Sequence, residues 1–121
     1  PGFVADPWKA TGLFDIFALS SDSEQFPISV VEAMAAGLPV VSPDVGDVRG
    51  MVSQDNAPFI VPNGDEAALG AQLLALARDE KQRRQVGAAN RVRARREYDE
   101  KAMIAAYRSV YAAALRRTAF P

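Results

Sequence analysis

"SDSEQFPISVVEAMAAGLPVV", residues 21–41, contains a turn, a helix, a helix stop and a strand in one short run. The polar "SDSEQ" opens it as a turn. Pro27 suits the first position of a helix, where its missing N–H costs nothing. Ile28 to Ala36 carries no breaker, and Gly37 supplies the stop. "LPVVS", Leu38 to Ser42, follows as a short strand. On a wheel of about 100° per residue, Val30, Val31, Met34 and Ala35 share one side, while Ser29, Ala33 and Ala36 make a small-residue side opposite. A helix apolar on nearly every side is expected to be buried. Glu32 is its one charge, and Glu24 stands in the turn before it.

Working outward, "FDIFALS", Phe14 to Ser20, reads as a buried strand. "PDVGD" is a loop, and Asp47 is placed to cap a short helix ending near Val52. "APFIV", Ala57 to Val61, is expected to form a third strand. Pro62-Asn63-Gly64 make a turn, and Asp65 caps a helix to about Arg78. Two more helices are expected, Glu80 to Glu97 and Glu100 to about Arg116. Strands alternating with helices predict a parallel α/β sheet flanked by helices, closing in a helical tail. Three or four short strands make a thin sheet. The opening "PGFVADP" is strand-like and carries no initiator methionine. The expectation is therefore that residues 1–121 are the C-terminal part of a wider domain.

Bulk composition narrows the function. The chain has 121 residues, 49% hydrophobic and 24% charged, which is globular rather than disordered. A net charge of −1 argues against a general nucleic-acid binder. There is no cysteine and no histidine, so disulfides, the usual zinc sets and a histidine base are excluded from this chain. The most apolar stretch, Ile28 to Val41, is too short to span a bilayer and is interrupted by Glu32 and Pro39. A cytoplasmic setting is expected.

Carboxylates in a covered segment need partners. One account is a buried salt bridge from Glu32 to an arginine. The other is a ligand with hydroxyl groups. The start of the helix favours the second. Phe26 stands before Pro27, and an aromatic ring cannot cap, so the N–H groups of Ile28 and Ser29 are left without a side-chain partner. Such a helix end attracts anions. It also follows a strand, at the sheet edge where ligands of open α/β folds bind. A phosphate on the amides, with hydroxyl-binding carboxylates on either side, describes a nucleotide sugar.

"EQFPISVVEAMAAGLPVV" resembles the E-x7-E motif of retaining glycosyltransferase family 4. Those enzymes have the GT-B fold, two Rossmann-like domains with the active site in the cleft between them. The resemblance continues through "GFVADP", "FDIFALSSDSE", "LPVVSPDVGDVRGMV", "VPNGDEAAL" and the helical tail with Tyr107 and Tyr111. It implies a partial Rossmann-like sheet from the donor-binding domain, with the acceptor domain and the start of the donor domain lying outside the chain. It implies a nucleotide-sugar donor, a glycan or lipid-linked acceptor, retention of configuration and no cofactor or bound metal. Glu32 would hold the donor's ribose hydroxyls. Glu24 would contact the donor sugar near the reacting carbon, as the catalytic carboxylate. Backbone amides of Gln25 and Phe26 would meet sugar hydroxyls, and those of Ile28 and Ser29 the diphosphate. The family's diphosphate-neutralising basic residues would lie before this chain, which alone should not catalyse.

Two positions depart from the family pattern: Gln25 stands where Gly is frequent, and Gly50 where Glu is frequent. With Asp47 as cap, a Glu at position 50 would complete a capping box, so its loss should weaken the short helix. Two rival functions are a nucleotide-sugar epimerase of the same fold and a stand-alone nucleotide-binding or interaction module. Arg83, Arg84, Arg91, Arg93, Arg95 and Arg96 read chiefly as a solvated helical face, with contact to anionic lipid at the inner membrane face as the functional alternative. Met103, Tyr107, Val110, Tyr111 and Ala114 follow helical spacing and read as a packing face. Without its partner, that face or the open sheet edge is expected to make the isolated chain self-associate.

Overall fold

Val40 and Val41 lie at the centre of a three-stranded parallel sheet. A computed structural model describes residues 5–115 of the chain. Its elements in order are α1 (Pro7–Thr11), β1 (Phe17–Ala18), α2 (Ile28–Ala36), β2 (Val40–Pro43), α3 (Val48–Met51), a 3-10 segment (Gln54–Phe59), β3 (Ile60–Val61), α4 (Glu66–Arg78), α5 (Glu80–Glu97) and α6 (Glu100–Ala114). The strand order is β1-β2-β3, with Phe17 paired to Val40 and Ser42 to Ile60. All four residues of β2 are buried, as a strand covered on both faces requires. The parallel sheet flanked by helices agrees with a Rossmann-like GT-B C-terminal domain. The strand-like opening falls largely outside the described residues, and Pro7 already begins a helix. Arg116, the expected end of the last helix, also lies outside them.

The expected strand Phe14 to Ser20 is cut to two residues. Phe17 N–H bonds Pro39 O and Leu19 N–H bonds Val41 O, each at 2.9 Å. Phe14 precedes this ladder and is 51% exposed.

The expected strand Ala57 to Val61 is also shortened, because residues 54–59 wind into the 3-10 segment. Asn56 explains the exchange. Its Oδ1 accepts from Val40 N–H and its Nδ2 donates to Val40 O, both at 2.8 Å. The carboxamide thus occupies the edge of β2 that a third strand would otherwise fill. Asn90 of α5 locks the arrangement: its Nδ2 donates to Asn56 Oδ1 at 2.8 Å and to Leu38 O at 2.9 Å, and its Oδ1 accepts from Ser53 N–H at 3.0 Å. Both asparagines are fully buried, and their bonds satisfy backbone groups that would be costly to leave unpaired.

Helix α2 has the expected bounds, but its buried face differs from the wheel. Val30, Ala33 and Met34 are fully buried, whereas Ala35 and Ala36 are exposed and Ile28 is 68% exposed. Ala33 belongs to the buried side because α5 crosses close to the end of α2, at Gly37 and Leu38. The core joins Val30, Met34, Val40, Val48, Met51 and Ile60, and a second cluster joins Val41, Phe59, Leu76 and Val86.

The closing helices share one start signal. Asp65, Asp79 and Asp99 each accept from a backbone N–H three residues on, those of Ala68, Gln82 and Ala102, at 2.9–3.1 Å, and a glutamate follows each. Asp47 holds the corresponding position before α3 but makes no side-chain cap bond, which corrects its expected role. The arginine face is also more than solvated charge. Arg83 donates to the carbonyls of Leu76 and Ala77, and Arg93 donates to those of Gly50 and Val52 and pairs with Glu97. Helix α6 buries no residue: Met103, Tyr107 and Val110 stay more than half exposed, so within the described residues the expected packing face is uncovered.

Candidate functional site at the carboxyl edge of the sheet

Three loops leave the carboxyl ends of the strands and meet on one edge. The β1–α2 loop, residues 19–27, carries Glu24, Gln25 and Phe26. The β2–α3 loop holds it from one side. Gly46 has φ +53°, and a Cβ there would lie 2.3 Å from Gln25 O and 2.6 Å from Glu24 O. Glycine is therefore required twice, for its left-handed backbone and for the close approach. The next amide, Asp47 N–H, donates to Gln25 O at 2.9 Å. The β3–α4 loop reaches over through Asn63, whose Nδ2 donates to Asp22 O at 3.3 Å.

Phe26 is held from the other side. Its ring meets Tyr98 edge to face, centroids 5.8 Å apart at 72°. Tyr98 O–H donates to Met51 O at 3.3 Å, and burial raises its phenol above the ordinary value near 10.

Helix α2 begins at this loop without a cap. Pro27 takes the N-cap position with φ −70° and ψ 108° and offers no side-chain bond. Among the described residues, no acceptor faces the N–H of Ile28 or Ser29. The contrast with the Asp-capped α4, α5 and α6 is local and chemical: those three helix starts are closed by a carboxylate, whereas α2, like the four-residue α3, has no side-chain cap, and free amides at a helix start favour an anion. Glu24 and Glu32 are half-buried, and among the described residues neither forms an ion pair. The buried Glu32–arginine bridge is thus not found there. The structure brings Glu24, Gln25, Phe26, Ile28 and Ser29 together at one corner, with Glu32 one turn into α2. A cleft of about 350 Å³ on the same edge is lined by Ser20, Asp22, Pro43, Asn63, Asp65 and Glu66 among others, and not by Glu24 or Glu32.

The arrangement offers two carboxylates as acceptors for hydroxyls and an amide row as donors for an anion. Sequence reasoning passed over three contributors. Gly46 was legible as a glycine in a loop after a strand, but nothing marked it as the seat of the Glu24–Gln25 peptide. The amide of Asp47 was hidden behind the capping role of its side chain. Tyr98 carried no signal beyond one aromatic residue ahead of an Asp-Glu helix start.

Comparison with known proteins places the chain in a family. The profile of the family described as "Glycosyl transferases group 1" matches residues 1–93. A phosphatidyl-myo-inositol mannosyltransferase of Mycobacterium leprae is 40% identical over 101 residues, covering 81% of this chain and 27% of that protein. A D-inositol 3-phosphate glycosyltransferase of Xylanimonas cellulosilytica is 36% identical over 115 residues, 94% of this chain and 26% of the relative. An N-acetyl-alpha-D-glucosaminyl L-malate synthase of Bacillus anthracis is 26% identical over 102 residues, 84% of this chain and 27% of the relative. The chain thus spans about a quarter of the length of these curated relatives. Among the described residues no helix is long and apolar enough to cross a membrane.

Proposed function

The chain belongs to the group 1 glycosyl transferases, and from that premise we propose that it supplies the donor side of a retaining transfer from a nucleoside-diphosphate sugar to a glycan or lipid-linked acceptor. The observation that carries this reading is the uncapped start of α2 lying between two carboxylates that form no ion pair among the described residues. Ile28 and Ser29 N–H groups take the diphosphate, helped by the helix dipole. Glu32 accepts from the ribose hydroxyls. Gln25 and Phe26 amides bind sugar hydroxyls. Glu24 lies against the sugar where positive charge develops at the reacting carbon, and its carboxylate stabilises that charge as the bond to the leaving diphosphate lengthens. Retention follows if the acceptor enters on the face the diphosphate leaves. No resident metal is required in this scheme, since basic residues outside the chain neutralise the diphosphate. The acceptor binds to a second domain of the natural protein, and this chain alone does not turn over.

Glu32→Ala in the natural protein tests the reading. Loss of a charge-assisted hydrogen bond costs about 1.5–3 kcal/mol, so the donor KM should rise by about tenfold or more with the acceptor KM unchanged. An unchanged donor KM with normal turnover would remove Glu32 from the ribose site.

A further inference from the structure

The loop that carries Glu24 is closed into a ring of contacts that runs through Tyr98. Gln25 O accepts from Asp47 N–H, and Asp47 O accepts from Met51 N–H, each at 2.9 Å. Met51 O accepts from Tyr98 O–H at 3.3 Å. The Tyr98 ring meets the Phe26 ring at 5.8 Å, and Phe26 adjoins Gln25. The other elements of this ring are short. Helix α3 has four residues and no side-chain cap bond, and the Phe26 ring is 46% exposed, so its edge contact with Tyr98 is a main restraint on where it sits.

Tyr98 also occupies the joint between two helices. Its N–H bonds Ala94 O at 2.9 Å, ending α5. The next residue, Asp99, caps α6. Its ring packs against the main core cluster. A single residue therefore touches the end of α5, the end of α3 and the aromatic ring beside the candidate donor carboxylate.

We infer that Tyr98 is a positioning residue for the donor loop: by bracing Phe26 it sets the placement of the Gln25 and Phe26 amides and of Glu24, and so governs donor affinity. The inference rests on the proposed donor role of this loop. The plainer account is that Tyr98 only fills space at a helix joint. That account predicts a smaller folded fraction in a variant, which lowers the apparent turnover and moves no KM.

The test uses Tyr98→Phe, Tyr98→Leu, Phe26→Leu and the double variant Phe26→Leu/Tyr98→Leu in the natural protein, with Glu32→Ala as reference. Tyr98→Leu should raise the donor KM about fivefold, the scale of one lost aromatic pair, and leave the acceptor KM in place. Tyr98→Phe keeps the ring and should stay within about twofold. The double variant should match the single variants rather than multiply them, because both remove one contact. An unchanged donor KM in Tyr98→Leu beside a raised one in Glu32→Ala would overturn the inference, as would effects that multiply in the double variant. If Glu32→Ala also leaves the donor KM unchanged, the donor reading itself fails. Amide hydrogen exchange at Gln25 and Phe26 then decides the brace: faster exchange in Tyr98→Leu but not in Tyr98→Phe upholds it, and equal exchange refutes it.

Discussion

Gly87 faces Gly37 with no room for a methyl group between them: a Cβ on Gly87 would lie 1.9 Å from the Gly37 carbonyl oxygen. The obstacle is backbone, at a residue held at φ +83° to end α2, so it cannot swing aside as a side chain would. This approach seats α5 against the end of α2 and delivers Asn90, one turn further on, to the carbonyl of Leu38.

A matched pair of substitutions should therefore separate helix propensity from packing. Both Gly70 and Gly87 lie inside helices, where alanine is intrinsically better by about 1 kcal/mol. A Cβ on Gly70 would meet nothing within 4 Å, so Gly70→Ala should stabilise by up to about that amount. Gly87→Ala must force two helices apart, and overpacking costs about 1–3 kcal/mol or more. We expect net destabilisation. Urea midpoints of the two variants check this, and a Gly87→Ala protein as stable as Gly70→Ala would show that the helices separate freely.

Removing Asn56 should be costly for a different reason. Its carboxamide satisfies both the N–H and the carbonyl of Val40 and accepts from Asn90. Asn56→Leu keeps the approximate volume but strands these buried groups, each worth about 1–3 kcal/mol when unsatisfied. A loss on the order of 3 kcal/mol is expected by chemical denaturation. Combining it with Asn90→Ala should add less than the sum of the single losses, since the two side chains share a bond.

The sequence made some of this legible and hid the rest for physical reasons. Helices α2, α4 and α5 have the expected bounds, because Gly37, Asp65 and Asp79 announce helix ends through local chemistry. The strands were overlong, because Phe14 and Ala57 carry strand-like residues while pairing is decided by what lies alongside, and a side-chain amide took the place beside Val40. Of the candidate site, Glu24 and Glu32 stood out as charges in an apolar run and the open helix start followed from Phe26, which cannot cap, while the roles proposed for them come from the family resemblance. The supports Gly46 and Tyr98 could not, since each acts through a contact with a residue far away in the chain.

Gly46→Ala should damage the site more than the fold. A Cβ at this position meets the backbone of Glu24 and Gln25 well inside contact distance and sits on a left-handed backbone, a conformation costing about 1 kcal/mol or more for an L-residue. Relief comes by displacing the loop. In the natural protein the donor KM should rise by about tenfold, whereas Gly50→Ala, where a Cβ meets nothing within 4 Å, should leave it unchanged. Equal kinetics for the two variants would detach the β2–α3 loop from donor binding.

Acid should weaken the anchor of the α5 end. Arg96 and Arg93 hydrogen-bond the Glu97 carboxylate and hold it below its ordinary value of 4.5. The folded-state value is depressed, so the contribution is fully present above the unfolded value and is lost as pH falls through the folded one. Glu97→Gln removes the titration. Unfolding midpoints measured from pH 6 downwards should fall less steeply below about pH 4.5 in the variant than in the parent. Parallel curves would mean that the arginines stabilise nothing through this carboxylate.

Glu24→Gln should separate chemistry from binding. The substitution preserves shape and a hydrogen-bonding oxygen but removes the negative charge from the corner formed by the β1–α2 loop. If Glu24 faces the reacting carbon, that charge matters most as the sugar becomes cationic, and an interaction stronger in the transition state than in the ground state appears in turnover. Removing one such group commonly costs about 10²–10³ in kcat, with a smaller change in the donor KM. Glu32→Ala should show the reverse pattern, since ribose hydroxyls carry no developing charge and their loss weakens ground state and transition state alike. Steady-state kinetics on both variants of the natural protein, varying the donor at fixed acceptor, gives the comparison. A Glu24→Gln enzyme with near-normal kcat and a raised donor KM would make Glu24 a second binding carboxylate and leave the catalytic role to a residue outside this chain.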